Sequence, residues 1–227
     1  MTFKQLFTSS IGKKFTMGLT GLFLISFLVI HCTVNSMIFF NDGGEMFNTW
    51  AHFMSHNYIV RFLELGLFAG LILHIIQGLL LVKQNNAARP VKYDVNGAST
   101  NSKWYSRSMG LLGTLLLFFL ILHVSKFFVN TKVALYGEGG VNDASYNLYE
   151  EMKEYFKEHL WAVIAYIAGV ISLFWHLLHG FSSAFQTLGI HHKKYTPLIQ
   201  TAGMIYSVIV CILFALMPVA FYLGWIS

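Results

Sequence analysis

Long apolar stretches alternate with short polar segments along the whole chain. Five of the stretches are long enough to cross a bilayer, which takes about 20 helical residues. They cover approximately residues 15–40, 59–82, 109–129, 161–185 and 198–226. The residues between them lack the two-residue alternation of a β-barrel. α-Helices are therefore the structure that can satisfy the backbone hydrogen bonds of these stretches in lipid. We therefore predict an all-α integral membrane protein in which residues 1–227 form one domain, a bundle of five transmembrane helices.

Residues 146–158 predict an additional helix that lies on the membrane surface. Four apolar side chains recur there at helical spacing with charged residues between them: Leu148, Met152, Tyr155 and Phe156. This pattern is typical of an interfacial amphipathic helix. The segment 41–58 is predicted to be a loop on the same side. The first apolar stretch is too long for a signal peptide and no small-residue cleavage site follows it, so it is taken as the first span.

Composition and charge agree with this prediction and orient the bundle. With 56% hydrophobic and 11% charged residues, the chain cannot be a soluble domain with a polar surface. Five spans put the two ends of the chain on opposite sides of the membrane. If the N-terminus is inside, the inner segments hold ten of the fifteen basic residues: Lys4, Lys13, Lys14, Lys83, Arg89, Lys92, Lys103, Arg107, Lys193 and Lys194. The positive-inside rule therefore predicts a cytoplasmic N-terminus and an external C-terminus.

Histidines recur inside the apolar stretches in a repeated pattern. His31 follows Met17 by fourteen residues, and His123 follows Met109 by the same number. In the second and fourth stretches, His74 and His176 are each followed by glycine four residues later. We interpret the chain as a duplicated two-helix unit, the first and second spans repeated as the third and fourth, with one buried histidine in each helix.

The depths of these histidines predict two pairs. His31 and His123 each lie about 14 residues, or roughly 21 Å, from the inner ends of their helices. His74 and His176 each lie roughly 13 Å from the inner side. Two histidines at one depth on separate helices can bind the iron of one haem from both faces. We therefore expect an outer haem between His31 and His123 and an inner haem between His74 and His176.

Small residues and cysteines refine this prediction. One face of the second span carries His74 together with Gly66, Gly70 and Gly78, and the inner layer is expected to include Gly21 and Gly113. Small residues at such positions allow a macrocycle or a neighbouring helix to approach closely. The two cysteines, Cys32 and Cys211, lie outside any C-x-x-C-H motif. Haem would therefore be bound non-covalently, and both cysteines are expected to be unpaired packing residues.

Each histidine also has a simpler explanation, which the pattern as a whole disfavours. A lone intramembrane histidine is often an interhelical hydrogen-bonding residue, and a stripe of small residues is more often helix packing than a cofactor wall. Four histidines at paired depths inside a repeat favour haem ligation. His179 competes with His176 because residues three apart share a helix face, but the duplicated His-x-x-x-Gly spacing favours His176.

Several motifs resemble a known family. Thr20-Gly21-Leu-Phe-Leu before His31, the Gly113-x9-His123 segment and His176-x-x-x-Gly180 resemble the cytochrome b membrane subunit of bacterial succinate dehydrogenases and fumarate reductases. The likeness covers essentially the whole chain and is to the type with one polypeptide, five helices and two haems. It implies the same axial pairs, His31 with His123 and His74 with His176. Single-haem anchors of two subunits carry arginine, histidine and Trp-Asp after His-x-x-x-Gly, whereas this chain has Phe181-Ser-Ser-Ala-Phe-Gln.

The resemblance also implies partners and a location. A flavoprotein with FAD and an iron–sulfur protein would dock on the cytoplasmic face of the bacterial inner membrane, against Gln84–Ser108 and His191–Lys194. Electrons would pass between the iron–sulfur clusters, two haems b and a membrane quinone, for which a menaquinone is expected. The dicarboxylate chemistry, which links the tricarboxylic acid cycle to the respiratory chain, would belong to the partner. A dimer of such heterotrimers is compatible with the same resemblance.

The quinone end has one leading candidate residue. Glu64 is the only acidic residue well inside a predicted span, and an intramembrane carboxylate is a functional candidate by default. The competing explanation is an Arg61–Glu64 ion pair near the interface, which would contribute little. Asn35, Lys126 and His56 are weaker candidates for hydrogen bonds at this end or for contacts with haem propionates.

Two alternative functions stay open at this stage. One is the two-haem cytochrome b partner of another membrane oxidoreductase, such as a hydrogenase or a formate dehydrogenase. The other is a membrane protein without haem, either a histidine-lined transporter or a protein whose histidines serve only packing. Haem content separates the second alternative from the main prediction, and the co-purifying partner separates the first.

Overall fold

The computed structural model describes residues 7–88, 100, 102–136 and 146–226. Within these residues the chain is helical and contains no strand, so the all-α prediction is confirmed there. Five helices are long and apolar enough to cross a membrane, which makes this a multi-pass protein. Nearly half of the predicted docking segment Gln84–Ser108, namely residues 89–99 and 101, lies outside the described residues, as does Lys4.

The helices are numbered here in chain order. The spanning helices are α1 (Ser10–Asn35), α3 (Tyr58–Ala87), α5 (Met109–His123), α8 (Leu160–Thr187) and α9 (Thr196–Leu223). A 3₁₀ segment, Ser36–Phe40, continues α1, and a π-helical segment, Val124–Val129, joins α5 to α6 (Asn130–Tyr136). The remaining helices are α2 (Glu45–His56), α4 (Trp104–Arg107) and α7 (Leu148–Glu158).

Capping side chains mark the starts of α1 and α3, and both helices are longer than predicted. The Ser9 hydroxyl accepts from the Gly12 N–H (3.0 Å), so α1 begins five residues before the predicted residue 15. The Asn57 side chain accepts from the N–H groups of Ile59 (2.9 Å) and Val60 (3.2 Å) and caps α3 in the same way. α3 then continues five residues past the predicted residue 82, to Ala87.

Two local features differ from the sequence-based prediction. The segment predicted as a loop, residues 41–58, contains the helix α2. Asp42 starts this helix, because its carboxylate accepts from the backbone N–H groups of Gly44 (3.0 Å) and Met46 (2.9 Å). The third span is also not a uniform α-helix, since it turns π-helical directly after His123. π-segments are frequent at functional sites.

The bundle has two distinct ends. At the N-terminal end α1, α5 and α9 begin and α3 and α8 end; the opposite end is called the C-terminal end. α8 occupies the centre, where it packs against α1, α5 and α9, and α1 packs against α3. The predicted amphipathic segment 146–158 forms α7, which covers the C-terminal end together with α2. Their apolar faces meet α8 and α9 in a core that contains Phe47, Tyr149, Phe156, Tyr166 and Phe221.

The contact between α2 and α7 gives a stability prediction. Gly44 has a φ of 84°, and a Cβ there would lie 2.2 Å from Cγ of the fully buried Tyr149. Gly43 has a φ of 70°, but nothing lies within 4 Å of its Cβ position. We expect Gly43→Ala to cost about 1 kcal/mol, from the left-handed backbone, and Gly44→Ala about 3 kcal/mol or more, because overpacking is added. Thermal unfolding of the purified variants measures this, and equal losses would contradict the Tyr149 contact.

Candidate cofactor site

The structure brings the four intramembrane histidines together as two pairs. His31 of α1 faces His123 of α5, with ring centroids 5.6 Å apart and ring planes at 87°. His74 of α3 faces His176 of α8, with centroids 6.2 Å apart and planes at 64°. Each pair joins two different helices, and these are the two pairs that depth predicts. Whether the rings ligate iron stays a prediction.

The spacing of the rings fits a shared iron. A metal–imidazole bond of about 2 Å and a ring radius of roughly 1.1 Å put the centroids of two axial imidazoles about 6 Å apart. Both observed distances, 5.6 Å and 6.2 Å, are close to this value. Each pair offers two imidazoles from separate helices, which is the number of axial ligands that a bis-histidine haem takes from the protein.

The two pairs lie at different levels of the bundle. Gly21 lies against His74, since a Cβ on Gly21 would be 3.5 Å from Cε1 of that ring. Gly21 is ten residues before His31 on the same helix, so the two levels are roughly 15 Å apart. The His74–His176 pair is nearer the N-terminal end of the bundle, and the His31–His123 pair is nearer the C-terminal end.

Glycines flank the His74–His176 pair on both sides. A Cβ on Gly113 would be 4.0 Å from Cε1 of His176, which matches the position of Gly21 beside His74. Gly70 and Gly78 lie instead against Phe23 and Met17 of α1. A shallow, open and largely apolar depression of about 440 Å³ lies on α1 at Leu19, Thr20, Leu22, Phe23 and Ser26. The small residues beside the imidazoles fit the close approach of a flat apolar macrocycle.

A hydroxyl group lies beside the ring of His74. Thr20 Oγ1 is 3.1 Å from His74 Nδ1. The Thr20 hydroxyl also has the backbone carbonyls of Thr16 (2.8 Å) and Met17 (3.2 Å) as acceptors for its proton. When the proton is on those carbonyls, the oxygen accepts from an Nδ1–H of His74, and Nε2 keeps the lone pair that a metal needs.

His176 has no such partner. Its Nδ1 atom is buried and has no hydrogen-bond partner among the residues that the structure describes. A buried ring nitrogen without a partner is costly, and a metal bound to the other nitrogen would not remove that cost. His176 therefore differs from His74 in what surrounds its Nδ1 atom.

The second pair has partners of a different kind. Tyr166 Oη lies 3.3 Å from His123 Nδ1. Asn35 donates to the backbone carbonyl of His31 at 2.8 Å, and its amide nitrogen lies 3.4 Å from His31 Nδ1. Asn35 was singled out as a candidate for hydrogen bonds at this end or for contacts with haem propionates, and that role stays a prediction, whereas Tyr166 was missed. A lone polar ring in an apolar span was the signal that could have identified it.

Gln77 is a second residue that sequence patterns did not single out. It is the only buried residue of α3, with 3% of its surface exposed, and it lies one turn from His74. Its Oε1 atom has no hydrogen-bond partner in the described part of the chain. A buried amide in lipid calls for a polar partner, so Gln77 adds to the polar groups of the His74–His176 level.

Comparison with known proteins adds no family to these observations. No family model, curated protein or solved structure matches this chain. The candidate site therefore depends on the geometry of its own residues.

Glu64 and Lys126 lie in ion pairs near the C-terminal end. The Glu64 carboxylate lies 3.6 Å from Lys132 Nζ, and both side chains are about a quarter to a third exposed. Its partner is thus on α6, not Arg61 one turn away, whose Nε donates to the Ser55 carbonyl at 2.9 Å. Lys126, in the π-helical segment, pairs with Glu151 of α7 at 2.9 Å.

The other candidate residues lie outside the two pairs. His179 is half-buried, and His74 makes its ring contact with His176 instead. His56 is exposed at the end of α2, where its ring stacks on His52 at 4.0 Å. Cys32 and Cys211 are buried and free, as expected.

Tyr146 gives a pH prediction for this end of the bundle. Its hydroxyl donates to the Glu151 carboxylate and lies 3.0 Å from Thr131 Oγ1. Burial and the Glu151 carboxylate raise the pKa of Tyr146 to about 12. The stabilisation from the neutral phenol is therefore complete below its unfolded pKa of about 10 and is lost as the pH rises through 12.

Tyrosinate absorbance measures this titration. The difference between wild type and Tyr146→Phe should titrate near pH 12, and Glu151→Gln should lower that pKa because the negative acceptor is gone. A difference that titrates near pH 10 in the wild type would show that the Tyr146–Glu151 contact does not form.

Proposed function

We propose that this chain is the two-haem cytochrome b membrane subunit of a succinate:quinone oxidoreductase. In this role it passes electrons between an iron–sulfur subunit and a membrane quinone, in either direction of the overall reaction. The observation that carries the proposal is the presence of two imidazole pairs, at 5.6 Å and 6.2 Å, on two levels of one apolar bundle. Bound there, two haems would supply one-electron carriers at two depths of the membrane.

The residues of this chain would hold and tune those carriers. His31 and His123 would ligate the outer haem, and His74 and His176 the inner one. Helix packing around α8 fixes the distance between the rings of each pair, and the apolar bundle excludes water from them. Burial and hydrogen bonds to the ligands are the means by which a protein sets a haem potential.

Charge supports the orientation in this proposal. The basic excess lies at the N-terminal end of the bundle, which the positive-inside rule assigns to the cytoplasm of a bacterial inner membrane. Lys193 and Lys194, between α8 and α9, are exposed there. The FAD-containing and iron–sulfur partners would dock on that face, next to the His74–His176 level. The quinone, expected to be a menaquinone, would then react near the His31–His123 level.

Haem content tests the proposal directly. Purified protein should contain two haems b per chain, with the sharp α-band of low-spin bis-histidine iron in the reduced state. His74→Ala and His176→Ala should each reduce the content to one haem per chain, because one axial ligand of the same site is lost. His179→Ala is the matched control and should retain both haems, since its ring is not in the pair.

The outcomes separate the alternatives. A protein that binds fewer than two haems, or that keeps both in the His74 and His176 variants, would refute the proposal and favour a membrane protein without this cofactor. Two bound haems together with a co-purifying hydrogenase or formate dehydrogenase would leave the cofactor assignment intact but replace the partner.

Glu64 is the proposed proton-carrying group of the quinone site. Quinone reduction consumes two protons, so the site needs a titratable group with access to water. Glu64 lies ten residues, roughly 15 Å, from His74 toward the C-terminal end. Its carboxylate is partly exposed and pairs with Lys132 at 3.6 Å. Proton relay by a positioned carboxylate typically contributes about 10²–10⁴-fold to a rate.

The Glu64→Gln variant tests this role. We expect both haems to stay bound, because Glu64 contacts neither histidine pair, and quinone turnover to fall about 10²-fold because the amide cannot carry a proton. Glu45→Gln, which changes an exposed carboxylate at the same end, should leave turnover unchanged. Wild-type quinone kinetics in Glu64→Gln would eliminate this residue.

A further inference from the structure

We propose that Thr20 is a positioning residue for His74, and that the ligands of the inner haem are consequently unequal. The Thr20 hydroxyl holds His74 in the Nδ1–H tautomer and increases the electron donation of its Nε2. His176 has no equivalent partner and is the weaker donor. This inference rests on the proposed haem between His74 and His176, and it assigns a separate role to a residue that touches only the ligand.

The hydrogen bonds of Thr20 favour one direction. Thr20 is 8% exposed and lies in a span, so water does not compete for its hydroxyl. Its proton goes to carbonyls of its own helix, at 2.8 Å and 3.2 Å, as threonine hydroxyls commonly do in membrane helices. The oxygen, 3.1 Å from His74 Nδ1, therefore accepts the imidazole proton.

The corresponding position on α5 explains the inequality. Leu112 precedes His123 by eleven residues, as Thr20 precedes His31, and each is followed by the glycine that lies against an inner histidine. Leucine has no hydroxyl to offer His176. His176 Nδ1 has no hydrogen-bond partner among the described residues.

The inequality has a consequence for the potential of one haem. A hydrogen bond donated from Nδ1 makes an imidazole more basic, which stabilises the oxidised iron more than the reduced iron. Thr20 therefore lowers the midpoint potential of the inner haem. The outer haem is unaffected, because Thr20 contacts neither His31 nor His123. Loss of such a hydrogen-bonding partner typically weakens metal binding about 10–100-fold.

Redox titration of the full-length protein in detergent tests the assignment. Thr20→Val removes the hydroxyl at nearly constant volume and should raise one of the two midpoint potentials, leave the other unchanged, and weaken haem binding at that site about tenfold. Thr20→Ser restores the hydroxyl and should restore both values. Thr33→Val is the matched control, because Thr33 lies on the same helix and its hydroxyl bonds only to the Val29 carbonyl, at 2.8 Å.

A second variant tests the same idea by gain. Leu112→Thr places a hydroxyl beside His176 and should lower the potential that Thr20→Val raises. This arm keeps the inference testable if Thr20→Val does not fold. Two haems with wild-type potentials in both Thr20→Val and Leu112→Thr would overturn the inference. It would also be overturned if the potentials of Thr20→Val equalled those of Thr33→Val while the potentials of Thr20→Ser differed from the wild type.

Nitrogen-15 NMR of histidine distinguishes this inference from the proposed function. In protein stripped of haem, His74 should be neutral and protonated at Nδ1, and Thr20→Val should change its signals while Thr33→Val does not. Protonation of His74 at Nε2 would overturn the role of Thr20 even if two haems bind. A chain that never binds haem would refute the proposed function, while the NMR spectrum would still decide whether Thr20 fixes the tautomer of His74.

Discussion

An imidazole surrounded by hydrocarbon needs a partner for both ring nitrogens, because lipid offers none. Four such rings lie inside this bundle, and three have a polar group within 3.4 Å of Nδ1, from Thr20, Asn35 or Tyr166. The centroids of the facing rings lie about 6 Å apart. This is too far for a direct hydrogen bond between ring nitrogens on a shared axis, and it is close enough for both rings to bind one metal between them. The histidine positions, their helix partners and the proposed cofactor all follow from this requirement.

Backbone hydrogen bonding in a membrane helix decides which side chains can serve as acceptors. A threonine hydroxyl that donates to the preceding turn keeps its oxygen for another donor, as Thr20 does beside His74. His176 has no such hydroxyl beside it, and its Nδ1 atom has no partner in the described part of the chain. Two equivalent-looking histidines can therefore differ in donor strength although the same His-x-x-x-Gly pattern surrounds them.

The length of the apolar stretches was sufficient to predict the five spans, since a bilayer imposes a minimum length on each of them. The number of residues between each histidine and the end of its helix was sufficient to predict which imidazoles meet. The constant rise per residue of an α-helix converts that number into a depth in the membrane. The roles of Thr20, Tyr166 and Gln77 could not be predicted, since they depend on the rotation of each helix about its axis. Helix α2 was missed because an Asp42 cap and two left-handed glycines start it, and hydrophobic pattern does not detect such turn chemistry.

The two ends of the bundle differ in the chemistry that they can support. In the part of the chain that the structure describes, all seven acidic residues lie at the C-terminal end, whereas basic residues dominate the other. At the C-terminal end, Lys126 pairs with Glu151 and Glu64 with Lys132, so carboxylates lie next to cations at the edge of the apolar core. Such groups can exchange protons with water, which quinone chemistry requires and electron transfer alone does not. Among the same residues the cationic end has no carboxylate, and it suits an acidic protein surface. This asymmetry supports placing the soluble partner beside His74–His176 and the quinone beside His31–His123.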